Sequence, residues 1–127
     1  MVVDTSGSMS AKQIGMALGS IASYAAAKDV PFVRIIFCDA KATDAGYLAP
    51  EDIAGRVKVT GRGGTILQPG VDCLEQANDF PKDGPILILT DGEIENDLKV
   101  RREHAFLLPR GNRLPFRARG EVFYFRE

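Results

Sequence analysis

Two rhythms of apolar residues alternate along the chain: short unbroken runs, and longer stretches in which apolar positions return every three or four residues. Val2–Val3 is an apolar stub that ends in the turn-rich loop Asp4-Thr5-Ser6-Gly7-Ser8. From Ser10 to Lys28 the apolar positions Ile14, Leu18, Ile21 and Ala25 recur at helical spacing. That pattern predicts a helix capped by Ser10 and stopped before Pro31. Phe32–Asp39 is a β-branched and aromatic run, read as a buried strand. Lys41–Glu51 is polar, with Gly and Pro, and reads as a loop; Pro50 opens a short helix through Gly55. Val57–Thr60 reads as a short strand near an edge, followed by the Gly-rich Gly61-Arg62-Gly63-Gly64-Thr65. Gln68–Phe80 is helical in pattern, with Val71, Leu74 and Ala77 on one face and Pro69 in the first turn. Pro85–Thr90 is an uninterrupted apolar strand of the kind covered on both faces, and it ends in Asp91-Gly92. Beyond it the pattern predicts a short helix over Glu93–Glu103, a strand over His104–Leu108, a long loop over Pro109–Gly120 and a last strand at Val122–Phe125.

Strands alternating with helices in this order indicate an α/β fold with a mainly parallel sheet. Such sheets bind ligands at the C-terminal ends of their strands. Asp4–Ser8, Thr65 and Asp91 all fall at strand ends or in strand-to-helix loops.

A chain of 127 residues makes one domain, large enough to bury a core without a metal or disulfide staple. No apolar run approaches the roughly 18 residues of a membrane span. Cys38 and Cys73 have no motif spacing and read as reduced, buried thiols; with no signal-peptide pattern after Met1, the expected compartment is cytoplasmic. The net charge of −1 conceals an asymmetry: residues 1–98 carry 8 Lys and Arg against 14 Asp and Glu, and residues 99–127 carry 8 against 3. The basic group Arg101, Arg102, Arg110, Arg113, Arg117 and Arg119 admits an acidic protein surface, a nucleic acid or a solvated face. Phe106, Phe116, Phe123 and Tyr124 lie in apolar runs suited to a core, which argues against nucleic acid.

Candidate chemistry concentrates on hard oxygen donors: Asp4, Ser6, Ser8, Thr65 and Asp91. In Asp4-x-Ser6-x-Ser8 alternate side chains of one tight loop can reach a common centre. No His or Cys accompanies them, so a zinc-type site is disfavoured and Mg²⁺ or Mn²⁺ is the ion that suits the set. Taken one at a time, the same residues also serve as helix caps or turn formers. Asp39 and Glu93 lie near the same edge and read as solvated strand-end carboxylates, with a supporting role at the site as the alternative. His104, the single histidine, reads as structural.

Asp4-Thr5-Ser6-Gly7-Ser8, Gly63-Gly64-Thr65 and Thr90-Asp91-Gly92 resemble, in order, the D-x-S-x-S, GGT and TDG elements of the von Willebrand factor A domain. The resemblance covers about residues 2–95. It implies a Rossmann-like three-layer α/β/α sandwich abbreviated at both ends, and a metal-ion-dependent adhesion site. In that site Ser6, Ser8 and Thr65 supply hydroxyls, Asp4 and Asp91 act directly or through water, and a partner's Asp or Glu completes the ion's shell. Phe37-Cys38-Asp39 with the GGT loop further resembles a bacterial intracellular branch found C-terminal to a metallopeptidase-like region. That branch implies an AAA+ ATPase, or the upstream domain of the same protein, as partner. Only three residues precede Asp4, fewer than in the family's usual first strand, so the chain reads as a fragment of a longer protein.

Enzymatic readings fit less well. A dehalogenase-like phosphatase needs an acid two residues after its first Asp, where this chain has Ser6. The Gly-rich loop lacks the Gly-Lys-Ser/Thr ending of a phosphate loop, and no HExxH occurs. The expectation is a non-enzymatic, metal-dependent interaction module. The alternatives are a metal-dependent hydrolase, a non-catalytic part of a metallopeptidase, and a degenerate metal-free scaffold.

Overall fold

A computed structural model describes residues 1–5, 9–39, 41–53 and 66–125, without the side chains of 24–26. In chain order the elements are β1 (Val2–Asp4), α1 (Ala11–Ala27), β2 (Val33–Cys38), β3 (Ala42–Leu48), α2 (Pro50–Ile53), α3 (Gln68–Gln76), β4 (Ile86–Leu89), β5 (His104–Pro109) and β6 (Glu121–Phe125). The strands form one sheet in the order β3-β2-β1-β4-β5-β6. All pairs are parallel except β2–β3. The expected α/β architecture is therefore present, with β1 and β4 at the centre.

Strand periodicity divides the core into two layers. Val3, Ile35 and Leu89 face Ile14, Ala17 and Leu18 of α1 and Ile53 of α2. Val2, Ile36, Ile88, Phe106 and Leu108 face Val71 and Leu74 of α3. These side chains are all at most 1% exposed, so each face of the central strands is sealed by helix. Helix α1 begins with the expected Ser10 cap: the Gln13 amide donates to Ser10 Oγ, and the Ser10 amide donates back to Gln13 Oε1. This reciprocal box satisfies donors that a helix start otherwise leaves open.

Three expectations from the pattern are corrected. Lys41–Glu51 is not a loop: Ala42–Leu48 pairs antiparallel with β2 as an edge strand. Its polar composition has a specific cause. Buried Arg34 of β2 donates to both carboxylate oxygens of Asp44, at 3.0 and 2.6 Å, and forms an ion pair with Asp79 at 2.6 Å. Tyr47 stacks over the guanidinium and donates its hydroxyl to the Asp79 carbonyl. The Arg34 hydrogen bonds hold the Asp44 carboxyl below its usual range. Glu93–Glu103 is not a helix; its side chains and amides bond to α3 instead of along their own segment, as described below. Helix α3 stops at Gln76, short of Phe80, because Ala77 is extended. The expected strand at Val57–Thr60 lies outside the described residues. Both cysteines are free, but only Cys38 is buried; burial pushes its thiol up to about 12.

Gly70 sets how closely α3 approaches the sheet. A Cβ at this position would lie 2.5 Å from Cys38 Sγ and 3.2 Å from Val2 Cγ1. Gly70→Ala is expected to cost about 1–3 kcal/mol, a drop of several degrees in Tm. In a Cys38→Ala background the obstructing sulfur is gone, and the same substitution is expected to cost less than half as much. Equal costs in both backgrounds, measured by urea unfolding, would contradict this packing.

Candidate metal centre

The chain leaves β1 through α1 to β2 on one side, whereas β4 is added on the other. That switch in direction opens a crevice beyond the C-terminal ends of β1 and β4. Asp4 is the last residue of β1, and Thr90-Asp91-Gly92 directly follows β4. The register Val3↔Leu89 brings Asp4 beside Thr90.

Asp4 is fully buried, and its Oδ2 accepts the Thr90 hydroxyl at 2.8 Å. Thr90 Oγ1 in turn accepts the Gly92 amide at 3.1 Å. The loop after β4 is thus hooked to the carboxylate at the end of β1. Thr5 donates both its amide and its hydroxyl to the Cys38 carbonyl, which extends the β1–β2 ladder past Asp4.

Asp91 is 3% exposed. Its Oδ1 accepts the Glu93 amide at 2.9 Å, while its Oδ2 is buried with no hydrogen-bond partner among the described residues. An unsatisfied buried polar atom costs about 1–3 kcal/mol, and more when charged. A cation beside Oδ2 would offset that cost. Among the described residues no three His, Cys, Asp or Glu side chains cluster to hold a metal. Ser6, Ser8 and Thr65 lie outside the described residues. Two buried carboxylates at one strand crevice, one with an orphaned oxygen, are hard donors that fit a small divalent ion such as Mg²⁺ or Mn²⁺.

Two further residues shape the crevice and escaped the sequence reading. Glu95 reaches back to α3, its carboxylate accepting the Leu67 amide at 2.9 Å and the Gln68 amide at 3.0 Å. Leu67 itself provides no side-chain cap, so the cap for α3 comes from another loop. The Gln68 side chain bonds the amide and carbonyl of Lys99, which fastens residues 95–99 to the helix start. These bonds explain why Glu93–Glu103 is not helical. They also fix the start of α3, which follows Thr65 closely in sequence. The second residue, Asn112, donates its side-chain amide to the Asp91 carbonyl at 2.8 Å. No local signal marks either residue, since their partners lie more than 20 positions away.

The remaining candidates occupy other roles. Asp39 Oδ1 accepts the Lys41 amide and closes the β2–β3 turn. Glu93 is exposed and contributes its backbone amide to Asp91. His104 begins β5, at the opposite edge of the sheet, with Nδ1 beside the Arg102 carbonyl and its ring edge-on to Phe106. Arg102 donates to the carbonyls of Pro81, Gly84 and Glu75 and lies over Phe80, a structural tie. Phe106 is core and Phe116 packs against it, as expected. Phe123 and Tyr124 are not core: on the edge strand β6 they are 50% and 55% exposed.

Residues 1–101 match the profile of a family described as VWA-like domain (DUF2201). The chain belongs to this family. No curated protein and no solved structure is significantly similar to it. The matched span of the VWA-like domain contains Asp4, Asp91 and Glu95; Asn112 lies beyond it. Gly92 links the two regions. Its φ is +92°, and a Cβ there would lie 2.0 Å from the Arg113 carbonyl oxygen. Gly92→Ala is therefore expected to lower Tm by several degrees and to lift the 109–113 loop. Trypsin should then cleave after Arg110 and Arg113 severalfold faster than in wild type. An unchanged cleavage rate would show that the loop is held independently of Gly92.

Proposed function

We propose that this VWA-like domain is a non-enzymatic interaction module that binds one Mg²⁺ or Mn²⁺ and, through it, a carboxylate of a protein partner. The observation that carries the reading is the buried Oδ2 of Asp91, which has no hydrogen-bond partner among the described residues and lies at the same crevice as the buried carboxylate of Asp4. The residues that would hold the ion are Asp4 and Asp91, with the hydroxyls of Ser6, Ser8 and Thr65. A hard divalent ion held by so few charges keeps Lewis acidity and an open position for an anionic ligand.

This chain's own residues prepare the crevice for such a ligand. Thr90 fixes the orientation of the Asp4 carboxylate, and the Glu93 amide fixes Asp91, so neither must reorganise on binding. Glu95 anchors the start of α3 just after Thr65. The non-enzymatic reading rests on what surrounds the crevice. His104, the single histidine, begins β5 at the opposite end of the sheet from Asp4, which supports that reading. Partner capture needs only an acidic side chain, which an AAA+ ATPase or a neighbouring domain of the same protein can present.

The test is thermal unfolding in EDTA and then across Mn²⁺ and Mg²⁺ series, with Asp91→Asn alongside. At 100 times the dissociation constant a ligand adds about 2.7 kcal/mol, several degrees for a domain of this size. Wild type is expected to show that saturable rise, and Asp91→Asn to lose it without losing stability in EDTA, because the oxygen it alters has no hydrogen-bond partner among the described residues. No rise in millimolar metal, or an equal rise in the variant, would overturn the reading.

A further inference from the structure

The loop from β5 to β6 adds a feature that the metal site alone does not require. Asn112 donates to the Asp91 carbonyl, and the Arg113 carbonyl packs on Gly92, so residues 109–113 form a wall directly against Asp91-Gly92. The wall is shaped by a tight turn: the Asn112 amide donates to the Pro109 carbonyl across Gly111, whose φ is +95°. Arg110 is also fastened through its backbone, its amide donating to the Phe125 carbonyl of β6. The backbone is thus fixed while the side chains of Arg110 and Arg113 are exposed. Together with Asn112 and the half-exposed Tyr124 they line a cleft of about 320 Å³. Neither arginine makes an ion pair with a described residue. Two guanidiniums with unspent hydrogen-bond donors on a rigid wall are suited to carboxylates, which arginine binds in a forked geometry.

We propose that this cleft is a second anion subsite, and that the partner segment is a run of acidic residues rather than a single carboxylate. The inference rests on the proposed metal reading: the leading Asp or Glu meets the ion, and the following carboxylates meet Arg110 and Arg113. Adjacency to Asp91 favours a peptide over a nucleic acid, whose phosphates would need a longer basic track than two arginines on one turn. The surplus positive charge of residues 99–127 gains a local role here, in attracting an acidic segment toward the crevice.

The experiment measures binding of two amidated, fluorescein-labelled peptides in Mn²⁺ at fixed ionic strength, Gly-Gly-Asp-Gly-Gly and Gly-Gly-Asp-Glu-Glu-Gly-Gly. The proteins are wild type, Arg110→Ala/Arg113→Ala, and the control Arg101→Ala/Arg117→Ala, which removes the same charge elsewhere. Wild type and control are expected to prefer the triacidic peptide about tenfold. The Arg110→Ala/Arg113→Ala variant is expected to lose that preference while keeping its Mn²⁺ thermal shift and its affinity for the single-Asp peptide. A preference retained in the variant, absent in wild type or lost equally in the control overturns the subsite but leaves the metal reading standing. Absence of any Mn²⁺ shift in wild type overturns the metal reading, and the subsite with it. Tighter, metal-independent binding of a twelve-residue oligothymidylate that depends on Arg110 and Arg113 would replace the acidic peptide by a nucleic acid.

Discussion

The hydrogen bond from the Thr90 hydroxyl to the buried Asp4 carboxylate is the constraint on which the crevice depends. It joins the C-terminal ends of the two central strands, where the direction of chain winding changes. Through the same hydroxyl it reaches the Gly92 amide, and so sets the turn that presents Asp91. From Gly92 the constraint passes to the Arg113 carbonyl, and from the Asp91 carbonyl to Asn112. A carboxylate at the end of a three-residue strand thereby governs a loop more than 100 residues away. The α1 and α3 layers cover both faces of β1, which leaves Asp4 dependent on polar partners within the protein, Thr90 among them.

Stability and function pull in opposite directions at this point. The core layers are closed and apolar, Arg34 is neutralised by Asp44 and Asp79, and the start of α3 is capped by Glu95. Against that background the orphaned oxygen of Asp91 stands out as a cost left uncompensated by the described fold. Sites that bind ligands are where such costs are tolerated, because the ligand removes them.

What could be read in advance follows from the range of the interactions. Elements made by local pattern were legible: α1 with its Ser10 cap, β2, β4, β5 and the two-sided burial of the central strands. The placing of Asp4 and Asp91 at the ends of neighbouring strands was legible because each sits in a short motif there. Elements made by distant partners were not. The polar β3 is a strand because Arg34 of its neighbour neutralises Asp44, and a window over Lys41–Glu51 does not contain that arginine. The segment after Glu93 has helical composition, yet Glu95 and Lys99 spend their bonds on the Leu67 and Gln68 region. Phe123 and Tyr124 have the composition of a core strand, but an edge position leaves them half-exposed; apolar pattern reports strand, not placement within the sheet.

The divalent ion proposed for the β1–β4 crevice is open to direct observation. The measurement is paramagnetic broadening of backbone amide signals during titration of substoichiometric Mn²⁺ into ¹⁵N-labelled protein. Thr5, Asp91, Gly92, Glu93 and Asn112 are expected to broaden first, while His104 and Gly120 at the opposite sheet edge stay sharp. Broadening spread over the surface carboxylates, or centred away from Asp4 and Asp91, would contradict the proposal.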